Sequence, residues 1–475
     1  MAANASVPAL SSSGKQLSLA GTDVDDFGVS LRGQLLMAGQ EGYDQARRVW
    51  NGSFDRKPAL IARCTGAADV AQSVKFALAH DLMLAVRGGG HSFSGQSVCD
   101  GGLMIDLSGM RGIRVDSVER SARVEPGVLL GQLDRETQFF GLATPAGTIS
   151  HTGAAGLTLG GGFGRLGRRF GLACDNLRAA DVITANGQYV RTSERENSEL
   201  LWGLRGGGGN FGVVTSFEYQ LHAVQSTMYG GALIFPFDQA RDVLRFFAGF
   251  AAEAPDELYM DAVLTAVPQI GRIVLFDVCY SGPLNKAETV LEPLREFRKP
   301  IVDALGPASY VKLQSANDGQ WASGRGYYER SGFVQRIEPA LVDAVVDRMA
   351  SSSLAGVAIV FAHQGGAISR VRPGATAFWN RQAGHTVISH ADWDDPKDRA
   401  TTDSHLQWAR ETWQILQPHT QGFYVNTLAV DDPQQRVRDT YGDNYRRLVR
   451  LKDKYDPTNL FRRNANIPPS SVTNA

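Results

Sequence analysis

Arg87-Gly88-Gly89-Gly90-His91-Ser92 is the stretch that decides how this chain is read. Three consecutive glycines bare the backbone, so amide N–H groups there can close on phosphate or carbonyl oxygens. A histidine follows at once, and imidazole is both an acid/base group and a nucleophile. A tight turn carrying a solvated histidine is the plain alternative, and the flanking sequence argues against it. Residues 59–63 read as a strand, Val70, Val74, Ala77 and Leu78 recur on one helical face, and residues 82–86 read as a second strand. The loop therefore leaves a strand end in a strand-helix-strand unit, where α/β proteins present ligand loops.

Working outward, strands are expected at 103–107 and 123–125, a helix at 129–140, and a second glycine-rich tract from Gly147 to Gly171. The first domain closes near residue 224 with a strand in which Phe217, Tyr219 and Leu221 alternate with Ser216, Glu218 and Gln220. Glycine density then falls, and residues 225–420, with strands such as 357–362 and helices such as 405–416, read as a separate substrate domain. An amphipathic helix at 441–455, stopped by Asp456-Pro457, lies in a C-terminal segment of residues 421–475. Residues 1–35, rich in Ala, Ser and Gly, are expected to be a loosely ordered tail. No internal repeat or low-complexity linker is visible.

The 475 residues carry 48 Lys and Arg against 49 Asp and Glu, a net charge of −1, so there is no basic field for nucleic acid or acidic lipid. The four cysteines, Cys64, Cys99, Cys174 and Cys279, lack the spacing of a metal site or a disulfide framework. No metal is expected. With no membrane-length apolar run and no basic leader at the start, the expected location is the cytoplasm. Two G-x-G-x-x-G matches, Gly162–Gly167 and Gly207–Gly212, do not make a nicotinamide site. The first follows glycine-rich sequence where a dinucleotide fingerprint needs a buried strand.

RGGGHS, PAGTISHTGAAGLTLGGGFGRLGRRFGLACDNL, LLWGLRGGGGNFGVVTSFEYQL and YGDNYRRLVRLKDKYDPTNLFRRNANIPP together resemble the berberine bridge enzyme-like branch of FAD-linked oxidases, within the vanillyl-alcohol oxidase superfamily. The likeness covers about residues 55–225 and 421–470. It implies an α+β fold: a two-lobed PCMH-type FAD-binding domain over 36–224, a substrate domain whose antiparallel sheet is flanked by helices, and a C-terminal segment returning to the FAD domain. It also implies FAD as cofactor. His91 would bond covalently to the flavin 8α-methyl carbon, a link that raises the ring's oxidising power and retains it. The other cofactor-lining positions implied are Arg87, Gly88, Gly89, Gly90, Ser92, Thr148, Thr152, Gly153, Gly156, Gly161, Gly162, Gly212, Val214, Tyr424, Asn426 and Asn464.

Two departures from the family pattern matter. Many relatives carry a second tether, a cysteine after Ala-Gly-Thr, where this chain has Ile149. Cys174 is expected to be a buried structural thiol, so the flavin should be singly attached through His91, as in some bacterial members. Thr152 matches a position implied to gate oxygen, and its small side chain suits access. Secondly, alcohol-oxidising relatives often carry Tyr-x-Asn-Tyr, whose last tyrosine takes the proton, whereas here Tyr424-Val425-Asn426-Thr427 ends in threonine. Tyr327, Tyr328, Glu329 and His385 are the candidate bases, a tyrosine needing a nearby cation such as Arg330 or Arg381. The implied activity is hydride transfer from a small alcohol, sugar, amine or secondary metabolite to flavin N5, with molecular oxygen reduced to hydrogen peroxide. An oxygenase retaining oxygen at N5, or a flavin-holding drug-binding or resistance protein with slow turnover, are the alternatives. Oligomeric state stays open.

Overall fold

The computed structural model describes residues 6–267 and 270–473. The glycine-histidine loop does leave a strand end: Leu84–Arg87 pairs in parallel with Leu103–Asp106, which pairs in parallel with Leu60–Arg63. Gln34–Leu36 completes this four-stranded sheet on an antiparallel edge. The connecting helix, Ala67–Ala79, buries Val70, Val74 and Ala77 as the spacing requires. Leu78 does not share that face and is 40% exposed. A second lobe is a five-stranded antiparallel sheet running Tyr189–Ser193, Leu177–Ile183, Val213–Gln220, Ser121–Val124, Ile113–Asp116. The two lobes meet the expectation of a divided cofactor domain.

The expected loose tail is corrected. Val7–Leu10 and Gln16–Leu19 form an antiparallel hairpin, followed by the helix Gly21–Ser30. Ala9, Leu19, Val24, Phe27 and Leu31 are buried in the same core as Val70, Val74, Leu84 and Leu103. Phe27 stacks on Phe76 at 4.2 Å. Burial of such apolar side chains, about 1.5–3 kcal/mol each, outweighs a small-residue composition that favours disorder.

From Thr227 onward the chain builds an eight-stranded sheet with antiparallel pairing throughout. One face packs on helices Ala240–Glu253, Ala287–Glu296, Pro339–Ala350 and Arg399–Leu416 in the largest apolar cluster of the molecule. The other face turns toward the N-terminal lobes. Arg165 spans the gap with a two-pronged ion pair to Asp277, both bonds at 2.8 Å. Arg168 donates to the carbonyls of Leu258, Ala254 and Gln364.

The expected helix at 441–455 begins at Tyr445, a short 3₁₀ turn, Gly442–Asn444, taking its first residues. This C-terminal segment returns to the five-stranded lobe: Leu448, Leu451, Tyr455, Ala465 and Ile467 lie in its core. Lys452, fully buried, is held by Asp456 at 2.6 Å and by the carbonyls of Asn210 and Phe461.

Candidate active site

Two glycine loops meet backbone to backbone beside His91. A Cβ on Gly89 would fall 2.6 Å from the Gly153 nitrogen, and one on Gly153 the same distance from the Gly89 nitrogen, so neither position tolerates a side chain. Gly90, at φ +69°, turns the chain into His91 while its carbonyl accepts from the Trp50 N–H. The imidazole of His91 lies between two rings, stacked on Trp50 at 4.0 Å and tilted against His151 at 5.0 Å. Its Nε2 is 3.1 Å from Nδ1 of His151. Burial, then the neighbouring His151, pushes the His91 pKa down to about 3, so the ring is neutral and keeps a nucleophilic nitrogen at ordinary pH.

Some 7 Å separates alternate residues of a strand, and along Gly326–Val334 this sets the roof. Tyr327 stacks on Trp50 at 3.9 Å, above His91. Ser331, four residues on and on the same face, receives the Tyr424 N–H and lies 2.6 Å from the Thr427 hydroxyl. Tyr424 in turn accepts from the Gly162 N–H through its hydroxyl, and Asn426 donates to the Leu157 carbonyl. Glu329 falls between these anchors. Its Oε1 is 2.8 Å from Nδ1 of His390, whose Nε2 is 3.1 Å from Asp392. Burial alone would lower the His390 pKa, but hydrogen bonds to Asp392 and Glu329 and their charges lift it to about 9, giving a buried imidazolium between two carboxylates. Arg325 pairs with Asp392 and with the exposed Asp394.

The other expected bases do not meet there. Tyr328 points to the helical face, where its hydroxyl donates to Asp431 at 2.9 Å, and burial pushes it up to about 12. Its neighbour in sequence must point oppositely because side chains alternate along a strand. His385 also sits on that face, stacked on His363 and against Phe247, and burial pushes it down to about 3. Tyr327 faces the site, yet its hydroxyl donates to the Ala322 carbonyl and burial lifts it to about 12. Of the suggested cations, Arg330 does contact the Tyr328 hydroxyl, away from the site, and Arg381 is committed to Asp175. Of the expected bases, the arrangement thus leaves Glu329 as the one whose carboxylate faces the side on which His91 stands.

A family model described as "FAD binding domain" matches residues 58–193, and one described as "Berberine and berberine like" matches residues 423–468. An FAD-linked oxidoreductase of Dictyostelium discoideum is 32% identical, the alignment covering 94% of this chain and 97% of that protein. The chain belongs to the berberine bridge enzyme-like FAD-linked oxidoreductases. Within that family, (R)-6-hydroxynicotine oxidase of Paenarthrobacter nicotinovorans is 30% identical over 93% of this chain and 98% of its own length. The crystal structure of 6-hydroxy-D-nicotine oxidase from Arthrobacter nicotinovorans superposes with a TM-score of 0.86 at 29% identity, covering 93% of this chain and 99% of that one. This protein is accordingly an FAD-dependent oxidoreductase of the oxidase type that acts on a small organic molecule.

The residues present fit FAD. Arg87 Nε and Asn464 Oδ1 are buried without hydrogen-bond partners among the described residues, a donor and an acceptor that a phosphate- and hydroxyl-bearing cofactor can satisfy. Gly156 is exposed with open space before it. Gly161 and Gly162, both at positive φ, accept from the N–H groups of Cys174 and Ala173. A side chain on Gly88 would strike the Pro126 carbonyl, and the Ser92 hydroxyl accepts from Gln96. Thr148 and Thr152 are half-buried on the second loop, and Thr152 bonds Ile149 and Leu130 through its backbone. Gly212 packs against Val182 and Ile183, and Val214 is a core side chain paired with Val182, which leaves only their backbones to meet a cofactor. Cys174 is fully buried beside Leu172 and Tyr424, and burial raises its pKa.

Sequence reasoning missed Trp50, His151, His390 and Asp392, and also Trp321, whose ring lies parallel to Tyr327 at 5.9 Å and tilted against His390 at 4.8 Å. His151 lay in a quoted motif, but its contact with His91 spans 60 residues and has no local signal. His390 and Asp392 alternate with the core residues Val387, Ser389 and Ala391, a period that could have marked them as facing the site.

Proposed function

We propose that this chain is a singly tethered flavin oxidase that uses Glu329 as its proton acceptor. His91 would hold FAD covalently, the Gly88–Ser92 and Gly153–Gly162 backbones would take its pyrophosphate and ribityl chain, and Tyr424 and Asn426 would approach its ring. FAD held by these residues would supply the hydride acceptor and the route by which the electrons reach oxygen, with hydrogen peroxide as the product. The observation that carries this reading is the register of the Gly326–Val334 strand, which sets Glu329 between Tyr327 above His91 and Ser331 above Tyr424.

Glu329 takes the proton of the substrate hydroxyl or amine. His390, donating through Nδ1, keeps Glu329 Oε1 fixed, which leaves Oε2 as the accepting atom. Asp392 and Arg325 hold the imidazolium from behind. The half-buried Thr152 leaves room for oxygen. Ile149 supplies no second tether, and Cys174 is too deeply packed to become one. The test is anaerobic mixing of the yellow holoenzyme with an alcohol substrate, followed by admission of oxygen. The flavin should bleach in the first step and recover in the second, with one hydrogen peroxide per turnover. Recovery without peroxide would overturn the oxidase assignment.

A further inference from the structure

The roof carries a second feature that the reaction above does not use. Leu275 pairs with Val263, Val263 with Val360, Val360 with Ile388 and Ile388 with Ser331, so these residues form one straight row across five adjacent strands. The four aliphatic members point away from the helical core and are each half-buried, whereas their neighbours along the strands, such as Phe276, Ala262, Ile359 and Val387, are fully packed on the other face. Half-exposed aliphatic side chains at the centre of a large sheet need a partner.

At one end of the row Ser331 is bonded to Tyr424, which holds Gly162. Along one flank Asp277 is clamped by Arg165 from the cofactor loop, and Asp261 accepts from the Tyr259 hydroxyl and the His363 N–H. Along the other flank the next row brings Ala358, His390 and Glu329. The row therefore faces the loops assigned to FAD across the space in which a substrate would meet the flavin.

The chemistry of the walls limits that substrate. Among the described residues, three groups of charges bordering the row are ion-paired, Asp277 with Arg165, His390 with Glu329 and Asp392, and Arg325 with Asp392 and Asp394, while Asp261 is hydrogen-bonded instead, accepting from the Tyr259 hydroxyl and the His363 N–H. None of these cations is left to hold an acid, and the four aliphatic members of the row offer no donor or acceptor to a sugar's ring of hydroxyls, the Ser331 hydroxyl at its end being engaged by the Tyr424 N–H and Thr427. Buried polar groups without partners cost about 1–3 kcal/mol each, so a carbohydrate laid against Val263, Val360 and Ile388 would be disfavoured.

We infer that the substrate of this enzyme is a neutral, largely apolar ring compound bearing a single oxidisable hydroxyl, its ring lying against Leu275, Val263, Val360 and Ile388 and its hydroxyl at Glu329. The inference rests on the flavin-oxidase reading for the orientation of the hydroxyl. The choice of an apolar ring rests on the row alone.

The test is equilibrium binding of 2-naphthalenemethanol, benzyl alcohol and cellobiose to the dithionite-reduced holoenzyme under anaerobic conditions, in which the flavin can take no further hydride. It is read both by perturbation of the flavin absorption and by quenching of tryptophan fluorescence. The naphthalene alcohol should bind at least about tenfold more tightly than benzyl alcohol, because its second ring buries more apolar area, and cellobiose should not saturate. Val360→Asn and Ile388→Asn should each weaken the naphthalene alcohol by about tenfold or more while the proteins keep wild-type melting temperatures and flavin content. If cellobiose binds as tightly as the aromatic alcohols, or if neither asparagine variant changes their affinity, the inference falls. A protein colourless before reduction that nevertheless quenches on binding the naphthalene alcohol would keep the inference and remove the flavin reading instead.

Discussion

His91 Nε2 and His151 Nδ1 lie 3.1 Å apart, joining the end of a parallel strand to the second glycine loop. A neutral His91 suits a single bond to carbon. After acid precipitation and proteolysis, flavin mass is expected on the peptide containing His91 and none on that containing Cys174. His91→Ala should release all flavin on denaturation, and Cys174→Ser should release none. Flavin found on Cys174 would reverse the assignment.

Thr152 offers a separable test of oxygen access. Thr152→Leu should slow reoxidation of the reduced enzyme by oxygen at least about tenfold while anaerobic reduction by substrate changes little, since only one half-reaction needs the space. Stopped-flow measurement of the two half-reactions decides it, and equal slowing of both would mean a general disturbance of the loop.

Proton removal should depend on Glu329 alone among the expected bases. General-base catalysis contributes about 10²–10⁴ in rate, so Glu329→Gln should slow flavin reduction within that range. Tyr328→Phe and His385→Phe change the helical face, and Thr427→Val removes a hydroxyl bonded to Ser331 and to the Tyr424 carbonyl, so each should leave the reduction rate within a few-fold of wild type. A large loss in Tyr328→Phe with Glu329→Gln unaffected would relocate the base.

The N-terminal hairpin and helix should contribute to stability. Phe27→Ala removes a buried ring stacked on Phe76 and is expected to cost about 3–5 kcal/mol, visible as a lowered denaturation midpoint. A loose tail would show no change.

Buried imidazoles set the pH range. His91 and His385, each pushed down to about 3, and His363, pushed well below its usual value, are neutral when folded. Their contribution is complete above an unfolded pKa of about 6.5 and is lost as pH falls through the folded values. His390 has the opposite sign: raised to about 9, it stabilises fully below the unfolded pKa and loses that contribution as pH rises through 9. Thermal melts across this range should therefore fall on both sides of neutrality, and His390→Gln should flatten the alkaline limb only.

The cofactor lobes were legible because their signals are local: glycine runs next to strands, and helical spacing at Val70, Val74 and Ala77. The tail was misread because Leu19, Val24 and Phe27 are sparse among small residues, and only their common destination in the core gives them order. The base was narrowed only by the sheet. Tyr327, Tyr328 and Glu329 are adjacent in sequence, and which of them faces the cofactor follows from strand pairing that no short window contains.

Arg165 and Arg168 lie near the end of the second glycine tract, and their side chains reach into the substrate domain, one to Asp277 and the other to three carbonyls. Separating the two halves would break the two-pronged pair and all three Arg168 hydrogen bonds at once. The chamber consequently has a fixed height. Selectivity in this architecture is then a matter of how far each roof side chain hangs down, and a single shortened residue, such as Val360→Ala, would deepen the chamber locally without tilting its ceiling.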